Sequence, residues 1–365
     1  MAVAKLGEHV PLLLLLIIIQ TWTIALLGVL PIISCGYNYF PLRCCGEMTQ
    51  MRERHMQWMQ THNKTYKDPA EHEHRCCVYQ TNVHFIQRFN SHDFSFNLTD
   101  NCFADLTNEE FLQTYRCLGG TFLHETKEVQ QYQMKKNHNC PNISDKPPVD
   151  WRDHGAITHV KDQQQCGSCW AFSAVASIEA ANKIKNNVTL VSLSEQELVD
   201  CDISGSSSGC AGGFMTQAFD FVQQNNGLTN DKNYPYTGVQ GQCNKTKVLI
   251  NPVVTIKGYM NVTSNSEDNL ADAVTGQPVS VAIDAGGYLF QLYSQGVYDG
   301  PCGIDLNHGV TVVGFGTNSN DGDYWIVKNS WGANWGEGGY IRMRRGVPQS
   351  EGLCGITLEA SYPLL

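Results

Sequence analysis

The cysteines constrain this chain more than any other feature. There are 15 in 365 residues, a density that points to an oxidising compartment. Eight lie before residue 145 and seven after it. Between the two groups, residues 117–149 have little apolar periodicity and end in Lys146-Pro147-Pro148, the composition of a linker. Charge divides at the same place. Residues 1–144 hold 12 basic and 13 acidic side chains, residues 145–365 hold 13 and 22, so the net charges are -1 and -9. Histidine is skewed the other way, with nine of 12 before residue 145. We therefore expect two compositionally different parts with a boundary near residue 145. The hydrophobic share of 42% excludes wholesale disorder. The total charge of -10 argues against nucleic acid or an anionic membrane as the main partner.

The N-terminus agrees with the cysteines. Lys5 precedes the apolar run from Pro11 to Ile19, which has the length of a signal-peptide core. The run resumes after Gln20 and continues to about Ile33, long enough to span a bilayer if it is kept. Residues 1–34 thus read as a cleaved signal, with a signal anchor as the alternative, and either route leads into the secretory pathway. No later segment approaches a membrane span. Six Asn-x-Ser/Thr triplets, at Asn63, Asn97, Asn142, Asn187, Asn244 and Asn261, are then candidate glycan sites.

The first part reads as helical from Met51, and a longer helix is expected over about Pro69–Asn90. Glu71, Arg75, Tyr79, Asn82, Ile86 and Asn90 recur at intervals of three and four, which keeps all six on one face. Four of the six are polar, so this face should be held by buried hydrogen bonds and ion pairs as well as by apolar packing. Further on, Thr107 with Glu110 fits a capping box ahead of a short helix. The second part opens with a strong helix from about Ser168 to Ile184, its buried stripe marked by Trp170, Ala174, Ile178 and Ala181. Shorter helices follow at Ser194–Asp200, capped by Ser194, and near Phe214–Asn225. From Val253 the signals turn to β, at Val279–Ile283, Gly309–Gly314, Tyr324–Lys328 and Tyr340–Arg344. Helices first and strands later is an α+β order.

Seven cysteines in the second part is an odd number, which marks a reactive thiol or an intermolecular bond. Cys169 is the best candidate for the thiol. It stands at the start of the strong helix in Gln163-Gln164-Gln165-Cys166-Gly167-Ser168-Cys169-Trp170, where the helix dipole favours a thiolate. A thiolate nucleophile needs a proton carrier, and three histidines remain: His154, His159 and His308. His308, in Asn307-His308-Gly309, precedes a strand-like run. Asn329, in Lys328-Asn329-Ser330-Trp331-Gly332, follows another and could orient the ring, with Trp331 shielding the hydrogen bond. Nucleophile, base and orienting amide from distant segments follow the logic of a catalytic triad.

These motifs, in this order, resemble the papain-like cysteine proteases over roughly residues 50–365, most closely cathepsin L-like zymogens of plants. The Gln-x-x-Cys-Gly-Ser-Cys-Trp signature falls on Gln163 to Trp170, and Cys210-Ala211-Gly212-Gly213 also matches. The family's Glu-Arg-Phe-Asn-Ile-Asn propeptide pattern falls on the six-residue face described above, with Tyr79 in place of phenylalanine. Its Gly-Asn-Phe-Asp pattern falls on Thr99, Asn101, Phe103 and Asp105, with threonine in place of glycine.

The resemblance implies a two-lobed catalytic domain over 145–365, a helical lobe plus a β-barrel-like lobe. It would be preceded by a propeptide over 35–144 whose inhibitory helical core spans about 51–111. Cys169 would be the nucleophile, His308 the acid/base and Asn329 its orienter, with Gln163 donating its side-chain amide to the oxyanion. Gly212 and Gly213 would pair with the substrate backbone. Phe214, Met215, Ala282, Leu306, Gly309 and Glu359 would line the pocket for the second side chain before the scissile bond, and Trp331 would border the site. Disulfides would be Cys166–Cys210, Cys201–Cys243 and Cys302–Cys354, leaving Cys169 outside the pairs. The implied enzyme is a monomeric endopeptidase without metal or cofactor. It would act on proteins and peptides, be held by its own propeptide and by cystatin-type inhibitors, and work in a lysosome or vacuole or outside the cell. Acid should trigger activation. Eight propeptide histidines would take up protons near pH 5, with His72 and His74 repelling Arg75 while Glu71 and Asp105 lose charge.

Overall fold

The computed structural model describes residues 49–115, 146–203, 207, 209–250 and 253–365. All of these lie in one compact unit, Cys44–Leu365. The expected signal segment, the linker over 117–144, Cys35, Cys44, Cys45, Cys117, Cys140, His124, His138 and the sequon at Asn142 lie outside the described residues.

Helix α1 (Thr49–Thr61) and helix α2 (Pro69–Asn90) form a hairpin. Asp68 caps α2 by accepting the Glu71 N–H, and Pro69 fits the first turn because its missing N–H would have had no partner there. The polar face of α2 is bonded to the chain that follows it. Arg75 reaches Glu110 at 2.8 Å, Tyr79 donates to Asp100 at 2.6 Å, and Asn82 donates to the carbonyls of Ala104 and Leu106. Asn90 exchanges two bonds with Leu98. Strand β1 (Phe96–Leu98) follows, then α3 (Asn108–Tyr115), whose capping box forms as expected: Thr107 and Glu110 each bond the other's backbone N–H.

The second part supplies two further layers. One lobe is helical: α4 (Cys169–Asn186), α5 (Glu195–Cys201), α6 (Met215–Gln224) and α7 (Lys245–Ile250). Its core gathers Trp170, Ala174, Ile178, Leu198, Phe219 and Leu228. The other lobe is a sheet with the order β1-β5-β8-β7-β6-β4-β9-β3, and β2 (Val149–Asp150) pairs with β6. Its strands are β3 (Gly258–Asn261), β4 (Val279–Ile283), β5 (Tyr293–Tyr298), β6 (His308–Asn318), β7 (Gly322–Lys328), β8 (Tyr340–Arg344) and β9 (Ala360–Leu364). The three expected disulfides are present.

Two departures from the sequence reading matter. The β half also contains helices, α8 (Glu267–Gly276), capped by Ser266, and α9 (Tyr288–Gln291). And β1 of the first part is the edge strand of the catalytic sheet, antiparallel to β5 with Phe96 opposite Gly296. Only glycine fits at 296. Its φ is +99°, and a Cβ there would lie 2.3 Å from the Ser95 carbonyl oxygen.

Candidate active site

Helix α4 is locked across the boundary between the lobes. Ser173 donates to the Val310 carbonyl at 2.6 Å, and its own carbonyl accepts from Ser280 and Thr311. These bonds hold the first turn of α4 against the start of β6. Cys169 is therefore beside Gly309, whose N–H points at Sγ at 3.1 Å. Cys169 is not disulfide-bonded, is buried, and stands where the unsatisfied N–H groups of a helix start favour negative charge.

His308 begins β6 and Asn329 follows the end of β7, and the β6–β7 pairing brings them together. His308 Nε2 lies 2.8 Å from Asn329 Oδ1. The Asn329 amide cannot be reversed, because Oδ1 also accepts the Ser330 N–H at 2.7 Å. Nε2 must then carry the proton, and Nδ1 is the nitrogen left for proton exchange. Trp331 stacks on the His308 ring at 4.6 Å and keeps water from this bond. Gln163 is fully buried: Oε1 accepts from Ser330 Oγ at 2.7 Å, and Nε2 donates to the Cys166 carbonyl at 3.0 Å.

The expected substrate residues also converge. Ala282 pairs with Gly309 in the β4–β6 ladder. Met215 Sδ is so close to Gly309 that a Cβ there would lie 3.1 Å from it. Leu306 joins Met215 and Ala282 in one apolar cluster, and the Ala282 N–H donates to the Glu359 carbonyl. Phe214 precedes α6, and Glu359 is exposed. Gly213 lies on the Trp170 ring, where a Cβ would come within 2.7 Å, and Gly212 has φ +117°. Among the described residues, no group of three or more His, Cys, Asp or Glu side chains could hold a metal ion.

The first part closes over this site. Phe103, Phe111 and Tyr115 set their rings edge-on to Trp331 at 5.4, 5.3 and 6.0 Å. Phe111, Leu112 and Tyr115 face Ala285, Gly286, Asn307 and His308 across a small cavity. The clamp is Gln291, which sequence reasoning did not find. Its side chain donates to the carbonyls of Phe103 and Leu106 and accepts from Asn108. Its backbone carbonyl accepts from Asn101. Tyr288 bonds Asn82 on α2. No local pattern marks Gln291, because its partners lie about 180 residues upstream.

A thiol and an imidazole buried where two lobes meet, under a folded helical cap, define a thiol-dependent hydrolase in its latent form. The comparisons with known proteins agree. Residues 146–364 match the model of the papain family cysteine proteases, and residues 55–111 match the cathepsin propeptide inhibitor domain. The chain is 46% identical over 313 residues to the senescence-specific cysteine protease SAG39 of Oryza sativa subsp. indica, covering 86% of this chain and 90% of that protein. The recombinant stem bromelain precursor superposes with a TM-score of 0.77 at 41% identity, over 86% of this chain and 99% of that one. The proform of the ragweed pollen cysteine protease Amb a 11 superposes with a TM-score of 0.78 at 38% identity, over 90% and 98%. The chain belongs to the papain family of cysteine proteases. It is a cysteine endopeptidase made as a zymogen, with its own propeptide as inhibitor.

Proposed function

We propose that Cys169 is the nucleophile of this endopeptidase, His308 its acid/base, Asn329 the orienter of His308, and Gln163 an oxyanion donor. The observation that carries this reading is the His308–Asn329 bond under Trp331, which commits Nε2 and leaves Nδ1 to exchange protons. In the reaction the Cys169 thiol passes its proton to His308 Nδ1 as its sulfur adds to the scissile carbonyl carbon. The oxyanion takes hydrogen bonds from the Cys169 N–H and, once its amide turns from Cys166, from Gln163. His308 gives its Nδ1 proton to the departing amine, leaving a thioester on Cys169. Water, losing a proton to His308, then cleaves the thioester and restores the thiol.

Gly212 and Gly213 hold the substrate backbone. Phe214, Met215, Ala282, Leu306 and Gly309 form an apolar pocket for Leu, Val or Phe at the second position before the cut, and Glu359 at its floor admits Arg. The chain enters the secretory pathway behind residues 1–34, and five of its sequons, Asn63, Asn97, Asn187, Asn244 and Asn261, are exposed. Acid releases the propeptide by a cut near residue 145, freeing a monomer that cystatin-type inhibitors block, in a lysosome or vacuole or outside the cell.

The test is purification of the chain, incubation at pH 4.5 and pH 7, and N-terminal sequencing with a peptide-library profile of the product. Faster conversion at pH 4.5 and cleavage after an apolar second residue support the reading. Equal conversion at both pH values overturns acid activation, and unchanged turnover in Cys169→Ser overturns the nucleophile.

A further inference from the structure

Acid activation, on which this inference rests, requires a group whose protonation the docked propeptide resists. We propose that His55, sealed between α1 and α2, is that group, and that its ring takes a second proton more readily once the hairpin opens.

His55 has no exposed surface. Trp58 stacks on it from its own helix and Tyr66 from the α1–α2 loop, at 5.8 and 6.1 Å. From α2, Tyr79 approaches to 4.9 Å and His72 meets it edge-on at 5.5 Å. Among the described residues the hydrogen-bond partner of Nε2 is Tyr66 Oη at 3.4 Å, and that hydroxyl already donates its one proton to Asp105. It can act toward His55 only as an acceptor, so Nε2 carries the hydrogen of the neutral ring. Nδ1 is left buried with no partner. A proton added there would form an N–H with no acceptor inside an aromatic cage, a charge taken out of water with nothing to offset it.

The charged groups around the ring do not reverse this. Asp105 would favour the cation, but its carboxylate is already bound by Lys64 at 3.1 Å and by Tyr66. Asp100, behind Tyr79, is bound by Arg54. Arg75 donates to the Asp105 carbonyl and is paired with Glu110. His72 opposes a second charge. Burial first, and His72 next, hold the His55 ring down to about 4 against the pull of Asp105.

The direction follows from linkage. A released hairpin takes up the proton near pH 6.5 and the docked one near pH 4, so between these values acid favours the open form. The shift amounts to about 30-fold in the open population by pH 5.0 and about 80-fold by pH 4.5. His62, pushed down by burial and by Lys64, acts in the same direction. His74 Nε2 faces Glu110 at 3.9 Å, and Arg75 is paired with the same carboxylate.

The test uses the full-length Cys169→Ser zymogen, which cannot process itself. Histidine C2-deuterium exchange read by mass spectrometry reports the titration of each ring in the intact protein. His55 should exchange slowly, with a midpoint near pH 4; a midpoint at pH 6 or above overturns the proposal even if a variant fails to fold. In parallel, a trace of mature enzyme cleaves the propeptide at each pH, its rate normalised to an unstructured peptide of the same sequence. This rate should rise at least about 30-fold from pH 7.5 to pH 5.0. His55→Phe keeps the ring but cannot titrate, and should remove about 10-fold or more of the rise; an unchanged rise overturns the proposal. Acid conversion of the active zymogen is followed separately, so failure of acid activation itself is read independently of His55.

Discussion

Gln291→Leu should loosen the zymogen far more than its single position implies. Leucine keeps most of the volume but removes both side-chain donors and the acceptor. Three hydrogen bonds to the propeptide are lost, to Phe103, Leu106 and Asn108. Leu106 retains its bond from Asn82, Asn108 retains its bond to the Gly286 carbonyl, and the Phe103 carbonyl retains the Leu106 N–H. At about 0.5–1.5 kcal/mol for each of the three bonds, docking weakens by about 2–4 kcal/mol. The open population then rises roughly 30- to 1,000-fold. The assay is cleavage of the Cys169→Ser/Gln291→Leu propeptide by a trace of mature enzyme at pH 7, where the rate tracks the open population. The backbone bonds of residue 291 to Asn101 and Trp335 remain, so α9 should stay in place. A rate within about 3-fold of the Cys169→Ser parent would refute the claim that Gln291 clamps the cap.

Three further outcomes are expected. Gln164 holds φ +55°, a left-handed backbone conformation, so Gln164→Gly should stabilise the mature enzyme by about 0.5–1 kcal/mol, read from its denaturant midpoint. Glu197 is pushed up to about 7 by burial, against the Thr229 N–H and the Asn225 amide. Its folded value lies above the unfolded one, so it adds stability at pH 4.5 that is lost as pH rises through 7; unfolding the mature enzyme from pH 4.5 to 8 should show this slope, and Glu197→Gln should flatten it. Glu359→Ala should lower the ratio of Arg to Leu cleavage about 2- to 5-fold, measured with paired peptide substrates, as expected for one exposed ion pair.

His55 and Glu197 therefore respond to acid in opposite directions. The propeptide hairpin loses stability as His55 is asked to take a proton, while the helical lobe gains it as Glu197 takes one. Acid would open the cap without unfolding the enzyme beneath it.

The sequence displayed what depends on local spacing. The polar face of α2, the Thr107–Glu110 box, the Ser194 cap and the helix beginning at Cys169 all follow from residues within a few turns of one another. The odd cysteine singled out Cys169, but the pairings themselves came from the resemblance to the family. What the sequence hid depends on distant partners. Gln291 sits in a four-residue helix and owes its role to carbonyls of the propeptide. Strand β1 has three residues, too few for an alternation to register, and forms because β5 offers an open edge. Helix α8 was masked by the β signals around it, although Ser266 ahead of Glu267 is a serviceable cap. His55 looked like one polar residue among many, and only the packing of Trp58, Tyr66, His72 and Tyr79 around it gives it a role.

The central claim is that one thiol performs the chemistry and that the propeptide hides it. Cys102 offers an internal control, because it too keeps its thiol, but burial pushes that thiol up to about 12. The direct measurement is alkylation by iodoacetamide before and after acid conversion, with the modified residue located by mass spectrometry and the remaining activity assayed. The account predicts almost no labelling of Cys169 or Cys102 in the intact zymogen. After conversion it predicts one adduct, on Cys169, with activity lost in proportion to it. Activity that persists once Cys169 is fully alkylated would contradict it, as would equal labelling of Cys169 in the zymogen and the mature enzyme.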